Sequence, residues 1–139
     1  METQPIVIFA EINSPIEKVW HCWTNPSDIM QWNAASEDWH CPNAENDLQV
    51  GGQFSYTMAA KDGSFSFGFG GEYTEVIPQE RIAYALGDER KVIITFEAHE
   101  HSVLVTETFD PETENSRELQ QNGWQTILNN FKKHTEQSI

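Results

Sequence analysis

The sequence predicts an α+β domain in which a curved antiparallel β-sheet wraps around a long C-terminal helix, in the order β-α-α-β6-α. Three observations carry that prediction. A β-branched run opens the chain and leads into two helix-start cassettes, Ser14-Pro15-Ile16-Glu17 and Asn25-Pro26-Ser27-Asp28. Six further strand-like segments fill the middle of the chain. One apolar stripe at helical spacing closes it. A sheet bent around a helix leaves an internal cavity between them, so these patterns speak to shape before chemistry.

The elements follow in order. Ile6 to Ile12 is apolar and β-branched and reads as the first strand. Ser14 is placed to cap the next helix, Pro15 to take its first position and Glu17 to complete a capping box. Ile16, Val19, Trp20 and Trp23 then form one apolar face. The second cassette starts a short helix through Ile29 and Met30 that Trp32 closes. A polar stretch follows, with a short strand expected around Asp38 to Cys41 and a loop from Pro42 to Asp47. After Gly51-Gly52, Phe54, Tyr56 and Met58 alternate with Gln53, Ser55 and Thr57, a half-buried strand.

Lys61-Asp62-Gly63 is a hairpin turn signal. The returning strand carries Phe65, Phe67 and Phe69, and Gly68, Gly70 and Gly71 suggest a bulge or sharp bend within it. A nucleotide-binding glycine loop would need a helix to follow, and none does. Glu72 to Ile77, Arg81 to Leu86, Lys91 to Ala98 and Ser102 to Phe109 are the remaining strand runs. Turns are expected at Pro78-Gln79-Glu80, Gly87-Asp88 and Glu100-His101. Asp110-Pro111 ends the sheet. Asn115 is the expected cap of the last helix, whose stripe runs through Leu119, Trp124, Ile127, Leu128 and Phe131 for about five turns. Gly123 inside it suits close approach of another backbone, or a gap left for something bound.

Bulk properties narrow the function classes. The 139 residues are a single-domain length, and 38% hydrophobic content is an ordinary globular mix. Eight basic residues against 22 acidic ones give a formal charge of −14, a field that repels nucleic-acid phosphates and anionic membranes. No apolar run reaches the roughly 18 residues of a membrane span, and Met1 to Pro5 does not resemble a secretory signal. These features read as a cytoplasmic protein with no nucleic-acid or membrane partner. Cys22 and Cys41 are too few for a disulfide framework. The dipeptides His21-Cys22 and His40-Cys41 can each aim at most one ligand at a shared point, short of a closed zinc site. Neither a metal nor another cofactor is expected.

Several phrases, taken in order, resemble one family. They are Ser14-Pro15-Ile16-Glu17-Lys18-Val19-Trp20, Asn25-Pro26 leading to Trp32, and Val50-Gly51-Gly52-Gln53-Phe54. Gly71 leading to Glu75-Val76-Ile77-Pro78, then Arg81-Ile82-Ala83-Tyr84 and Gly123-Trp124, complete the set. Together they resemble the family related to the C-terminal domain of the activator of heat-shock protein 90 ATPase, within the START-like, SRPBCC or Bet v 1-like helix-grip superfamily. The resemblance implies a helix-grip fold with a pocket between sheet and C-terminal helix, and no transferable catalytic motif. Proteins of this fold bind lipids, hormones or polyketide-like molecules, and some act as cyclases or dehydratases.

If the helix grips the sheet, Phe54, Tyr56, Met58, Phe67, Phe69, Tyr84, Phe96 and Trp124 are candidates to line a ligand pocket, with Trp32 and Trp39 near its mouth. The same side chains can equally serve only as core. Tyr56 and Tyr84 could offer hydroxyls to a ligand oxygen. Glu107 shares strand phase with Val103, Val105 and Phe109, so it either points inward, where burial would raise its pKa, or sits in solvent after a slip of phase. His40 is placed near the mouth beside Trp39, and His99 and His101 in water at a hairpin turn. No Gly-x-Ser-x-Gly elbow is present. Three functions remain: a binding protein for a small apolar or aromatic molecule, an acid-base enzyme using Tyr56, Tyr84, Glu107 or His40, or an interaction module with a protein partner, a chaperone among the options.

Overall fold

A computed structural model describes residues 4–34, 36–87 and 89–137. The elements run β1 (Ile6–Ile12), α1 (Ile16–Thr24), α2 (Pro26–Trp32), β2 (Trp39–Asn46), β3 (Gln53–Ala60), β4 (Ser66–Ile77), β5 (Arg81–Leu86), β6 (Lys91–Ala98), β7 (Val103–Phe109) and α3 (Arg117–Gln137). The seven strands form one sheet in the order β1-β7-β6-β5-β4-β3-β2, antiparallel throughout. The sheet curls into a half-barrel, and α3 lies against it in the helix-grip arrangement.

Period-two alternation builds the inner face. In β1, Ile6, Ile8, Ala10 and Ile12 are buried while Val7 and Phe9 face solvent. Their partners on β7 are Phe109, Glu107, Val105 and Val103, and the next row on β6 is Val92, Ile94, Phe96 and Ala98. Most of this grid is apolar and buried, and it forms the floor on which the helices rest. Helices α1 and α2 add Val19, Cys22, Ile29 and Trp32. Phe131 of α3 is fully buried, with its ring 4.7 Å from Trp23 and 5.0 Å from Trp32. Cys22 and Cys41 are both buried free thiols.

The structure corrects several local expectations. Helix α1 begins at Ile16 with Pro15 as its cap, and no side-chain hydrogen bond from Ser14 closes it. The Pro15 carbonyl instead accepts from the amides of Lys18 and Val19 at 3.1 and 3.0 Å. Strand β2 does not stop at Cys41 but continues to Asn46, with a register shift between His40 and Asn43. Pro42 falls inside that irregularity on an edge strand, where its missing amide donor costs no ladder bond. The glycines of β4 make no bulge. Gly68, Gly70 and Gly71 pair in continuous register with β3, and the shift lies later, between Tyr73 and Glu75. Close packing explains two of them: a Cβ would stand 2.5 Å from the Phe54 carbonyl at Gly70 and 2.4 Å from the Ala85 carbonyl at Gly71.

The cap of α3 is Ser116, whose Oγ accepts from the Leu119 amide at 3.1 Å, rather than Asn115. Leu119 is exposed, and Gln120 takes the inward position instead. Nothing lies within 4 Å of a Cβ built on Gly123, so no other backbone makes the close approach expected there. The Gly87-Asp88 turn falls partly on Asp88, outside the described residues. No described helix is long and apolar enough to cross a membrane.

Candidate functional site

A cavity of about 370 Å³ lies between the concave sheet and the three helices, within the size range of small-molecule sites. Each layer supplies part of its wall. Strands β3, β4 and β5 contribute Tyr56 and Met58, then Phe67, Phe69 and Tyr73, then Ile82 and Tyr84. Strand β7 contributes Glu107, α1 and α2 contribute Trp23, Thr24 and Trp32, and α3 contributes Gln120, Trp124 and Ile127. Asn33, Arg90 and Glu112 complete the lining. The wall is mostly aromatic, and its rings brace one another: Trp124 stacks on Phe109 at 3.9 Å and 10°, and meets Phe69 edge-on at 6.1 Å.

The candidate residues named from sequence divide in two. Tyr56, Met58, Phe67, Phe69, Tyr84, Glu107, Trp124 and Trp32 all line the cavity. Phe54, Phe96 and Trp39 do not. Phe54 lies behind the wall against Tyr56, Tyr73 and Tyr84, and its ring passes over the space that Gly71 leaves open. Phe96 is buried under Trp20 and Trp23. Trp39 joins Phe65 and Phe67 in a partly exposed aromatic group on the β3–β4 hairpin side. His40 is exposed and outside the lining.

Sequence reasoning missed Trp23, Thr24, Asn33, Tyr73, Ile82, Arg90, Glu112, Gln120 and Ile127 as wall residues. Tyr73 was legible, since it continues the Phe67, Phe69, Gly71 phase of β4. Gln120 is three positions before Gly123 and four before Trp124, in helical phase, but its amide polarity hid it. Its side chain latches the loop before α3, accepting from the Glu112 amide at 2.8 Å and donating to the Asn115 carbonyl at 2.9 Å.

Among the polar groups of this wall, Glu107, Tyr84 and Tyr56 are the strongly perturbed ones. Glu107 is only 6% exposed and sits between Ile8 and Ile94 on the neighbouring strands. Burial pushes its carboxyl from 4.5 to about 8, so it is mainly protonated at neutral pH and able to donate a hydrogen bond. Burial likewise holds the Tyr84 hydroxyl well above its ordinary value, with the nearby Glu107 charge adding to the effect. Tyr56 is raised in the same way, first by burial and then by the neighbouring Tyr73. The Asn46 side chain, whose Nδ2 donates to the Thr24 carbonyl at 2.8 Å, stands beside this pair and opposes the rise. The cavity thus offers a neutral hydrogen-bonding floor beneath an aromatic sleeve.

Comparison with known proteins gives this geometry a setting. The family model described as Activator of Hsp90 ATPase homolog 1-like protein matches residues 13–136. The solution structure of an AHSA1-like protein from Aeromonas hydrophila shares 44% identity, covers 94% of this chain and 92% of its own, and superposes with a TM-score of 0.87. A solution structure from Cytophaga hutchinsonii is 50% identical over 98% of this chain and 93% of its own, with a TM-score of 0.83. A crystal structure from Chromobacterium violaceum, 23% identical over 96% of this chain and 99% of its own, shows the same fold at a TM-score of 0.85. No curated protein matches the chain.

Proposed function

This chain belongs to the Activator of Hsp90 ATPase homolog 1-like family, whose fold is generally a ligand-binding one, and from that premise we propose that its cavity binds a small, mainly apolar or aromatic molecule. The observation that carries the reading is the aromatic cavity of about 370 Å³ with a protonated carboxyl and tyrosine hydroxyls at its floor. Aromatic walls favour a flat apolar body. A Glu107 O–H and the Tyr84 hydroxyl favour an acceptor on it, such as a carbonyl or ether oxygen. In this reading all 139 residues form one binding domain acting in the cytoplasm.

Native mass spectrometry of protein purified from its own host, followed by organic extraction, tests it. A discrete bound mass lost on extraction is the expected result, and a clean apo mass with no binding to a panel of neutral aromatic carbonyl compounds overturns it. Substitution locates the site. Trp124→Ala should weaken binding of the extracted compound tenfold or more beyond what its loss of stability explains, because Trp124 lines the cavity. Trp20→Ala, which removes a ring packed on Phe96 outside the cavity, should leave affinity within about twofold.

The raised carboxyl also favours a second reading, an acid-base enzyme of the cyclase, dehydratase or hydrolase type in which Glu107 delivers a proton to the bound molecule. Incubating the extracted compound with Glu107→Gln and with the parent chain separates the two. Conversion by the parent alone supports the enzyme, and recovery of the unchanged compound from both supports the binder.

A further inference from the structure

Away from the cavity, three ligand-type side chains from three different helices converge. Cys22 comes from α1, Asp28 from α2 and His134 from α3, and their Sγ, carboxylate oxygen and imidazole nitrogen all lie within 4.8 Å of one another. His134 Nε2 is 2.8 Å from Asp28 Oδ1. His21 Nε2, on an exposed side chain, stands 3.4 Å from the other oxygen, Asp28 Oδ2. The dipeptide His21-Cys22 cannot aim both side chains at one point within α1, but folding α2 and α3 against it supplies the missing donors.

A second observation points to what this cluster lacks. Thr135 is completely buried, and its Oγ1 is the one buried side-chain polar atom among the described residues without a hydrogen-bond partner. It lies beside Cys22 and makes no hydrogen bond to its thiol. A buried orphan hydroxyl costs about 1–3 kcal/mol. A thiolate at Cys22 would accept its proton strongly, and a coordinated metal is what holds a buried cysteine as thiolate near neutral pH.

We propose that Cys22, Asp28 and His134 form a binding site for one zinc-type divalent cation, with the fourth tetrahedral position open to a solvent water and Thr135 as the hydrogen-bond donor to the Cys22 sulfur. The donor set fits the ion. One thiolate and one carboxylate balance a dication, and a mixed sulfur, nitrogen and oxygen set suits zinc more than magnesium or calcium. Tetrahedral zinc with Zn–S of about 2.3 Å and Zn–N or Zn–O of about 2.0–2.1 Å spaces its ligand atoms by roughly 3.3–3.6 Å. The 2.8 Å His134–Asp28 contact opens slightly to admit the ion, and the longer separations close by about an ångström. On binding, the Cys22 thiol releases its proton to solvent, and the His134 Nε2 proton leaves or moves to Nδ1, freeing the lone pair. The ion then staples α3 to the helix pair that carries the cavity residues Trp23 and Trp32.

Cobalt(II) titration of the chelator-treated full chain tests the proposal, since cobalt reports its own ligands. The expected result is one cobalt per chain with tetrahedral visible bands and a thiolate-to-cobalt charge-transfer band, displaced by zinc. Cys22→Ser should abolish the charge-transfer band, His134→Gln and Asp28→Asn should each weaken binding at least tenfold, and Cys41→Ser should change nothing. Thr135→Val, which removes the hydroxyl and keeps the shape, should shift the charge-transfer energy while the stoichiometry stays at one. Circular dichroism of each variant establishes that it is folded. His134→Gln and Asp28→Asn alter partly exposed side chains and keep the test open should Cys22→Ser unfold. Absence of the bands in folded parent protein overturns the proposal, as does a charge-transfer band that depends on Cys41 rather than Cys22. The site stands apart from the cavity, so neither result depends on cavity occupancy.

Discussion

At the scale of the single residue, Glu107 concentrates the chemistry of the molecule. It occupies a position that the strand pattern assigns to an apolar side chain, between two fully buried isoleucines, and it keeps its proton by being starved of water. That has a consequence for stability. Between roughly pH 4.5 and 8 the folded chain holds a proton on Glu107 that the unfolded chain has already released, so the contribution of this group to stability falls as pH rises through the window. The slope is about 1.36 kcal/mol per pH unit. Glu107→Gln keeps the shape and removes the titration, so its stability relative to the parent should grow by several kcal/mol, on the order of 3–4, between pH 5 and pH 8. Urea unfolding of both proteins at the two pH values measures it, and an unchanged difference would mean the carboxyl titrates normally.

At the scale of the element, α3 shows how a helix can present a stripe that differs from its most apolar reading. Leu119 continues the apolar spacing on paper, yet it is 59% exposed, whereas Gln120 is buried because its amide satisfies the loop that leads into the helix. Further along, Phe131 is completely enclosed by Trp23 and Trp32 from the other two helices. Phe131→Ala should therefore cost about 3–5 kcal/mol, and Leu119→Ala less than about 0.5 kcal/mol, in equilibrium denaturation. Equal effects would contradict the burial of Phe131 and the exposure of Leu119. The edge strand β2 teaches the same lesson. Pro42 reads as a strand terminator, but at an edge with a register shift it interrupts nothing the sheet needs.

At the scale of the whole molecule, charge and curvature act together. The net −14 is spread over a small surface and opposes compaction through self-repulsion. Raising sodium chloride from about 10 mM to about 150 mM shortens the screening length from ~30 Å to ~8 Å. The melting temperature should rise by about 3 °C, roughly 1 kcal/mol for a chain of this size. A fall in calorimetry would show that attractive ion pairs outweigh the repulsion. Curvature decides where function can reside. A flat sheet would bury the aromatics of β3, β4 and β5 against α3, whereas the curled sheet leaves a cavity lined by Tyr56, Tyr84 and Trp124.

What the sequence determined by itself was the periodic part of the protein. Alternation in Ile6–Ile12 and Val103–Phe109, and the Asn25-Pro26 cassette, depend on neighbours along the chain, and such local preferences set element type and order without tertiary help. The same phase arguments reached eight of the residues around the cavity, and would have reached Tyr73 had the β4 alternation been followed past the glycines. Tertiary structure alone decided the rest. Whether Glu107 met water or isoleucine depended on strands β1 and β6, more than ten residues away in sequence. Phe54 and Phe96 share the phase of lining residues but lie behind the wall, because Tyr56, Tyr73 and Tyr84 pack against one ring and Trp20 and Trp23 against the other. The meeting of Cys22, Asp28 and His134 spans three helices and has no signature in any short stretch of chain. Periodicity records which way a side chain points from its own element, whereas its partners are set by the packing of elements against one another.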